Sequence, residues 1–147
     1  MDKNFEYSIK AGYAEMDFDK VTLLLKDAFW SIGIMKDEIV KGALNSALLV
    51  GAFTVDNKQI GFSRVISDKT RFAYILDVVV ENNYRRHGIG QAMVTYILNH
   101  PDLKDVYQWL LITKDAHGVY QKVGFNPVTR PKDWMEIRND RPERHPC

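Results

Sequence analysis

One cysteine, Cys147, stands in this 147-residue chain, so no intrachain disulfide can form, and the Cys/His clusters of a zinc site are missing. Neither sign of charge dominates: 20 basic against 19 acidic side chains leave a formal net charge of +1, which gives no overall pull toward nucleic acid or a membrane surface. Any electrostatic recognition has to be local. No apolar run is long enough to span a bilayer, and Met1-Asp2-Lys3-Asn4-Phe5 carries no signal-peptide core, so the expected setting is a reducing cytoplasm. Internal repeats and low-complexity tracts are absent too. What remains is a chain with 46% hydrophobic and 12% aromatic residues, enough for one domain with a sizeable core.

The most informative stretch is Arg85-Arg86-His87-Gly88-Ile89-Gly90, which joins the apolar run Tyr74-Ile75-Leu76-Asp77-Val78-Val79-Val80 to a helical stripe at Ile89, Ala92, Met93, Tyr96 and Ile97. A helix that opens on glycines beside basic residues presents unpaired backbone N–H groups and a positive dipole end, which suits an anion such as phosphate. A Cβ at Gly88 or Gly90 would hold the backbone away from a phosphate oxygen, and glycine reaches turn dihedrals closed to other residues. Two common phosphate motifs fail here. Gly88-Ile89-Gly90-Gln91-Ala92-Met93 has methionine where a dinucleotide fingerprint needs a third small residue, and no Gly-Lys-Ser/Thr opens the helix as a P-loop requires.

Periodicity organises the rest. Residues 5–11 read as a first strand, and Asp17 or Asp19 can cap a helix with its stripe at Val21, Leu24, Leu25, Ala28 and Phe29; a second short helix is expected over residues 36–44. Residues 47–55 and 59–66 flank Asp56-Asn57-Lys58 as an antiparallel hairpin, and Ser67-Asp68-Lys69-Thr70 turns the chain into the strand ending at Val80. After the glycine helix, Asn99-His100-Pro101 stops the chain, and residues 106–112 form a strand reached by a parallel crossover. Asp115 is expected to cap a short helix carrying Ala116, Val119, Tyr120 and Val123, with Gly124 just past its end. Residues 134–138 read as a last strand, closing a domain over 1–138, and residues 139–147 as a loose polar tail.

Arg85-x-x-Gly88-x-Gly90 resembles the acetyl-CoA signature Gln/Arg-x-x-Gly-x-Gly/Ala of the GCN5-related N-acetyltransferase (GNAT) superfamily. The order of elements resembles the GNAT layout over nearly the whole chain, and residues 115–125 are similar to the family's Asn-x-x-Ala-x-x-x-Tyr-x-x-x-Gly-Phe helix, with Thr113 in the place of the usual Asn. Gly61-Phe62-Ser63-Arg64-Val65, Asp115-Ala116-His117-Gly118 and Met135-Glu136-Ile137 further resemble one subset of small, mostly bacterial GNAT proteins. The resemblance implies an α+β fold, a central mixed and mostly antiparallel sheet with helices on both faces, and transfer of acetyl from acetyl-CoA to a small amine by direct attack. No metal is implied. A homodimer is common among such domains, by analogy only.

By that resemblance, Val78, Val79 and Val80 offer backbone groups to the pantetheine arm, one N–H also steadying the oxyanion. The diphosphate falls to Arg85, Arg86, His87, Gly88, Ile89, Gly90 and Gln91, with Lys122 as a further cation and Thr113 in the place of a CoA-contacting Asn. Tyr120 takes the general-acid position, against the alternative of a core tyrosine. The ammonium must lose a proton, and Asp77, Glu81 and His117 are the candidate bases. Asp77 leads, because a carboxylate in an apolar strand needs a reason to be there; pairing with Arg64 is the structural alternative. Phe29, Trp30, Tyr74 and Trp109 are candidates for an aromatic acceptor pocket or for core. Two other functions fit the same motifs: acetylation of a protein N-terminus or lysine, and a non-catalytic acyl-CoA sensor.

Overall fold

The computed structural model describes residues 5–141. Five strands, β1 (Tyr7–Ala11), β2 (Leu48–Thr54), β3 (Gln59–Ser67), β4 (Phe72–Val80) and β5 (Gln108–Leu110), lie side by side in chain order. Each neighbouring pair is antiparallel except β4 with β5, which are parallel. The connection between those two strands is the helical crossover through α3 (Ile89–Leu98), which is long enough to return the chain in the same direction. The β2–β3 turn is tight, with Asn57 at φ 65°, and the Asp68 carboxylate shapes the β3–β4 turn by accepting from the backbone of Thr70, Arg71 and Phe72. No helix among the described residues is long and apolar enough to cross a membrane.

Strand alternation feeds two cores, one on each face of the sheet. Ile89, Met93, Val94 and Ile97 of α3 pack with Val50, Ile60, Val65 and Ile75 on one face. On the other, Val21 and Leu25 of α1 (Phe18–Leu25) and Ile39 and Ala43 of α2 (Lys36–Leu44) cover Leu49, Phe53, Phe62 and Val79. The α+β reading with helices on both faces therefore holds.

Four local expectations are corrected. The first helix stops at Leu25, so Ala28 and Phe29 fall in the loop that follows, and Phe29 is exposed. The fifth strand shrinks from residues 106–112 to three, because β5 diverges from β4 after Leu110 pairs with Tyr74. Residues 134–138 form no strand: Met135 and Ile137 are 95% and 93% exposed, with no sheet edge against them. Finally, Asp115 does not cap the last helix, α4 (His117–Gln121). Ala116 stands at the cap position with no side-chain cap among the described residues, and the Thr113 hydroxyl accepts from the Ala116 N–H at 3.0 Å, just ahead of the helix. Gly124 does sit just past that helix at φ 107°, where the Phe125 and Gly124 N–H groups close back on the carbonyls of Tyr120 and Gln121. Of the tail expected over residues 139–147, positions 142–147 lie outside the described residues, as does Cys147.

A buried polar side chain fixes α1 to the sheet. Gln59 is 2% exposed; its Oε1 accepts from the Asp17 N–H at 2.8 Å, and its Nε2 donates to the Gly61 carbonyl at 3.0 Å. Asp17 in turn caps α1 by accepting from the Lys20 N–H. Gln59→Ala strands the buried Gly61 carbonyl and removes the partner of the partly buried Asp17 N–H, so the expected loss of stability is about 2 kcal/mol. Urea unfolding of the two proteins measures it.

Candidate functional site

The glycine turn follows directly from its sequence. Gly88 is the residue before α3, at φ 73°, and Arg86 two residues earlier is at φ 71°. Alternating left-handed residues turn successive N–H groups toward one point, a concave arrangement that attracts anions. No described residue accepts from the backbone N–H groups of His87, Gly88, Ile89, Gly90 or Gln91. A Cβ on Gly88 would meet nothing within 4 Å, and one on Gly90 would meet only Val78 Cγ1 at 3.9 Å. The positive φ therefore accounts for Gly88, whereas at Gly90 the protein itself leaves room for a side chain.

The basic residues of the turn divide their work. Arg85 Nε donates to the Val80 carbonyl at 3.2 Å, while Arg86 is exposed. His87 lies against Phe5, ring centroids 4.9 Å apart. The Gln91 amide donates to the Val119 carbonyl at 3.1 Å and so ties the start of α3 to α4, the helix that carries Tyr120 and ends at Lys122. Lys122 itself is exposed.

Beside the turn, β4 and β5 part. Their pairing ends at Tyr74 with Leu110, so residues 75–80 have no strand on that side. The Glu81 N–H donates to the Ile60 carbonyl, and Val79 stands opposite Phe62. By the alternation of antiparallel hydrogen bonding, Val79 directs its backbone groups to β3, while Val78 and Val80 direct theirs into the gap. Beside the gap β4 carries an irregularity: Phe62 and Arg64, two apart on β3, pair with Val79 and Leu76, three apart on β4. One residue is inserted, and Asp77 takes the left-handed conformation at φ 58°.

The candidate bases have different surroundings. Both Asp77 oxygens are engaged, Oδ1 by the Trp30 indole N–H at 2.9 Å and Oδ2 by Arg64 Nε at 2.8 Å. Its charge and burial push the Tyr74 phenol up: burial is the larger cause, the Asp77 charge adds to it, and Arg64 opposes. Glu81 is held by the Lys20 ammonium and, at 3.5 Å, by that of Lys58. Burial pushes its carboxyl up, yet the hydrogen bond and charge of Lys20, with Lys58, hold it net below the ordinary carboxylate value. His117 is exposed at the first position of α4 and has no hydrogen bond or ion pair among the described residues. Tyr120 is half-buried against Phe125, and burial pushes its phenol up. Its hydroxyl has no partner among the described residues.

Sequence reasoning did not find Lys20, Lys58 or the tie from Trp30 to Asp77. Each is a contact between distant segments, and only an acidic residue at the end of an apolar strand hinted at a cationic partner. Among the described residues, no cluster of three or more His, Cys, Asp or Glu could hold a metal ion.

A family model described as an acetyltransferase (GNAT) domain matches residues 48–127. A ycf52-like N-acetyltransferase of Prochlorococcus marinus is 32% identical over 93 residues, 61% of this chain; the match spans half the length of that curated relative. A GNAT-family protein from Xanthomonas campestris pv. campestris has a similar structure, with TM-score 0.84 and 32% identity over 91% of this chain and 94% of that one. A Clostridium acetobutylicum protein solved with acetyl-CoA is similar in fold, with TM-score 0.64 and 18% identity over 90% and 96% of the two chains.

The Glu81 cluster has a pH signature. A carboxyl held below its ordinary value of 4.5 contributes stability that is fully present above that value and lost as pH falls through the depressed one. Wild type should therefore lose stability faster than Glu81→Gln as pH drops from about 5 to about 3. Denaturant unfolding across that range measures the narrowing gap.

Proposed function

Because this chain belongs to the GNAT family of acetyltransferases, we propose that it is an N-acetyltransferase moving acetyl from acetyl-CoA to the primary amine of a small molecule. The observation that carries this reading is the row of five unpaired N–H groups from His87 to Gln91, set directly beside the gap between β4 and β5. A diphosphate needs such donors, and an extended amide-bearing arm needs a strand with free backbone groups. The residues present therefore fit acetyl-CoA, which when bound supplies the reactive thioester.

In this reading the turn binds and orients. Its N–H groups take the diphosphate oxygens, and Arg86, with Lys122 from α4, adds charge that strengthens those bonds. Arg85 is committed to the Val80 carbonyl and contributes by fixing the strand end. Val78 offers its N–H and C=O and Val80 its N–H to the arm, and an N–H already fixed in the gap stabilises negative charge developing on a carbonyl oxygen. Thr113 supports α4 through its bond to Ala116.

Tyr120 holds the proton for the departing sulfur. Its raised pKa keeps the phenol protonated at neutral pH, and its hydroxyl has no partner among the described residues. For the amine proton, His117 is the candidate whose side chain is not already engaged, and imidazole is the side chain whose ordinary pKa lies nearest neutrality. Asp77 and Glu81 face competing cations at every step.

Three segments support a small acceptor over a peptide. The loop after α1 brings Phe29 and Trp30 over the Asp77 side of β4. Lys114 lies over the Phe29 ring, and Arg141 donates to the Phe29 carbonyl at 2.9 Å. Together they set three segments of the chain against that side of the strand. The single cysteine fits a reducing, cytoplasmic location.

Release of thiol from acetyl-CoA across a panel of small amines and peptides tests the reading; no turnover with any amine would overturn it. Within it, Tyr120→Phe should leave acetyl-CoA affinity unchanged and lower kcat at least about tenfold. Gly88→Val, which forces a β-branched residue to positive φ in the diphosphate turn, should abolish acetyl-CoA binding by calorimetry while the circular dichroism spectrum stays that of the folded protein.

A further inference from the structure

The groups around the β4 insertion come from segments far apart in the chain. Trp30 belongs to the loop between α1 and α2, Arg64 to β3, and Asp77 is the left-handed residue of β4. Their contacts form one connected network. Asp77 Oδ1 accepts from Trp30 Nε1 at 2.9 Å and Oδ2 from Arg64 Nε at 2.8 Å. Arg64 Nη1 continues to Ser46 Oγ at 3.2 Å and toward the Gly42 carbonyl at 3.5 Å, at the C-terminal end of α2, where a cation also meets the negative end of the helix. The guanidinium packs on Gly42: a Cβ there would stand 3.4 Å from Arg64 Cζ and Nη1, in van der Waals contact.

An L-residue at φ 58° does not hold itself there, although Asp and Asn tolerate the conformation better than most. Resting on the acetyltransferase reading above, we propose that Trp30 and Arg64 are positioning residues that act through Asp77. They hold the inserted residue in its left-handed conformation and so keep the Val78 backbone directed into the gap, where the thioester carbonyl binds. In this role Asp77 takes no proton. Its carboxylate is a fixed acceptor for two donors, and what reaches the substrate is the backbone that follows it. The same network ties the loop that covers the acceptor side to the strand that binds the thioester.

Paired calorimetric titrations with acetyl-CoA and with CoA read this directly, because the two ligands differ at the acetyl group. Asp77→Ala loses both hydrogen bonds at a left-handed position, and should weaken acetyl-CoA about tenfold more than CoA, the worth of one hydrogen bond. Asp77→Asn keeps an acceptor for Trp30 and tolerates positive φ, so its ratio of affinities should stay within about threefold of wild type, with turnover retained. Trp30→Phe should lower the same ratio by about threefold at an unchanged CoA affinity. Equal weakening of both ligands, or an unchanged ratio in both Asp77→Ala and Trp30→Phe, overturns the positioning role. An Asp77→Asn protein that binds acetyl-CoA normally but turns over no faster than Asp77→Ala also overturns it, and returns Asp77 to the role of base. Should Asp77→Ala not fold, Trp30→Phe and Arg64→Lys carry the same comparison. A wild-type protein that binds neither ligand refutes the acetyltransferase reading itself, an outcome distinct from all of these.

Discussion

One residue is held where the backbone resists it, and the cleft depends on that. Asp77 at φ 58° adds a residue to β4 that β3 does not match. A non-glycine residue in this region costs on the order of 1–2 kcal/mol, so surrounding contacts must supply the difference. They are charge-assisted and half-buried, with the Arg64 and Asp77 side chains only 19% and 12% exposed. The insertion lies in the stretch after Tyr74, where β4 no longer pairs with β5, and the gap between them is where backbone groups are left for a ligand.

The end of the same strand is anchored by a second set of charges. Glu81 follows Val80 directly, and Lys20 and Lys58 hold it from α1 and from the β2–β3 turn. Lys20 is positioned because α1 is capped by Asp17, whose own N–H is held by Gln59 beside that turn. Arg85 then folds back on the Val80 carbonyl. The strand is thus fixed just before the gap by Asp77 and just after it by Glu81. A carboxylate in either place serves as an anchor for cations on other elements, which explains why acidic residues interrupt an otherwise apolar strand.

What could be read from the sequence was local. Gly88 at positive φ before α3, the hairpin around Asn57, the parallel crossover and the Gly124 helix end all follow from turn chemistry and periodicity within a few residues. The GNAT resemblance rested on two such local motifs, which is why it held. The expected strand at residues 134–138 rested on alternation alone, and alternation cannot report whether a sheet edge is within reach. Its apolar side chains Met135 and Ile137 face solvent instead. The insertion in β4 was hidden for a related reason. A run of Val, Ile and Leu looks the same with or without one extra residue, and only the pairing of Leu76 and Val79 with Arg64 and Phe62 reveals it. Asp77 was visible as an anomaly, but its partners Trp30 and Arg64 lie 47 and 13 residues away.

The inserted residue also decides which face of the sheet each part of the site addresses. Val79 packs with the α1 and α2 core, whereas Val78 and Val80 pack on the α3 side, beside the helix whose start binds the anion. In an unbroken strand Leu76 and Val79, three apart, would lie on opposite faces. Here their partners Arg64 and Phe62 both face the α2 side, so the strand changes phase at Asp77. Residues before it are in register with the hairpin, and residues after it are in register with the glycine turn. Drawing Asp77 into regular extended geometry would move Val78, Val79 and Val80 each to the opposite face, placing the wrong side chains against α3. The left-handed conformation of Asp77 is therefore tied to core packing as well as to the cleft, and the two requirements meet at one position of the chain.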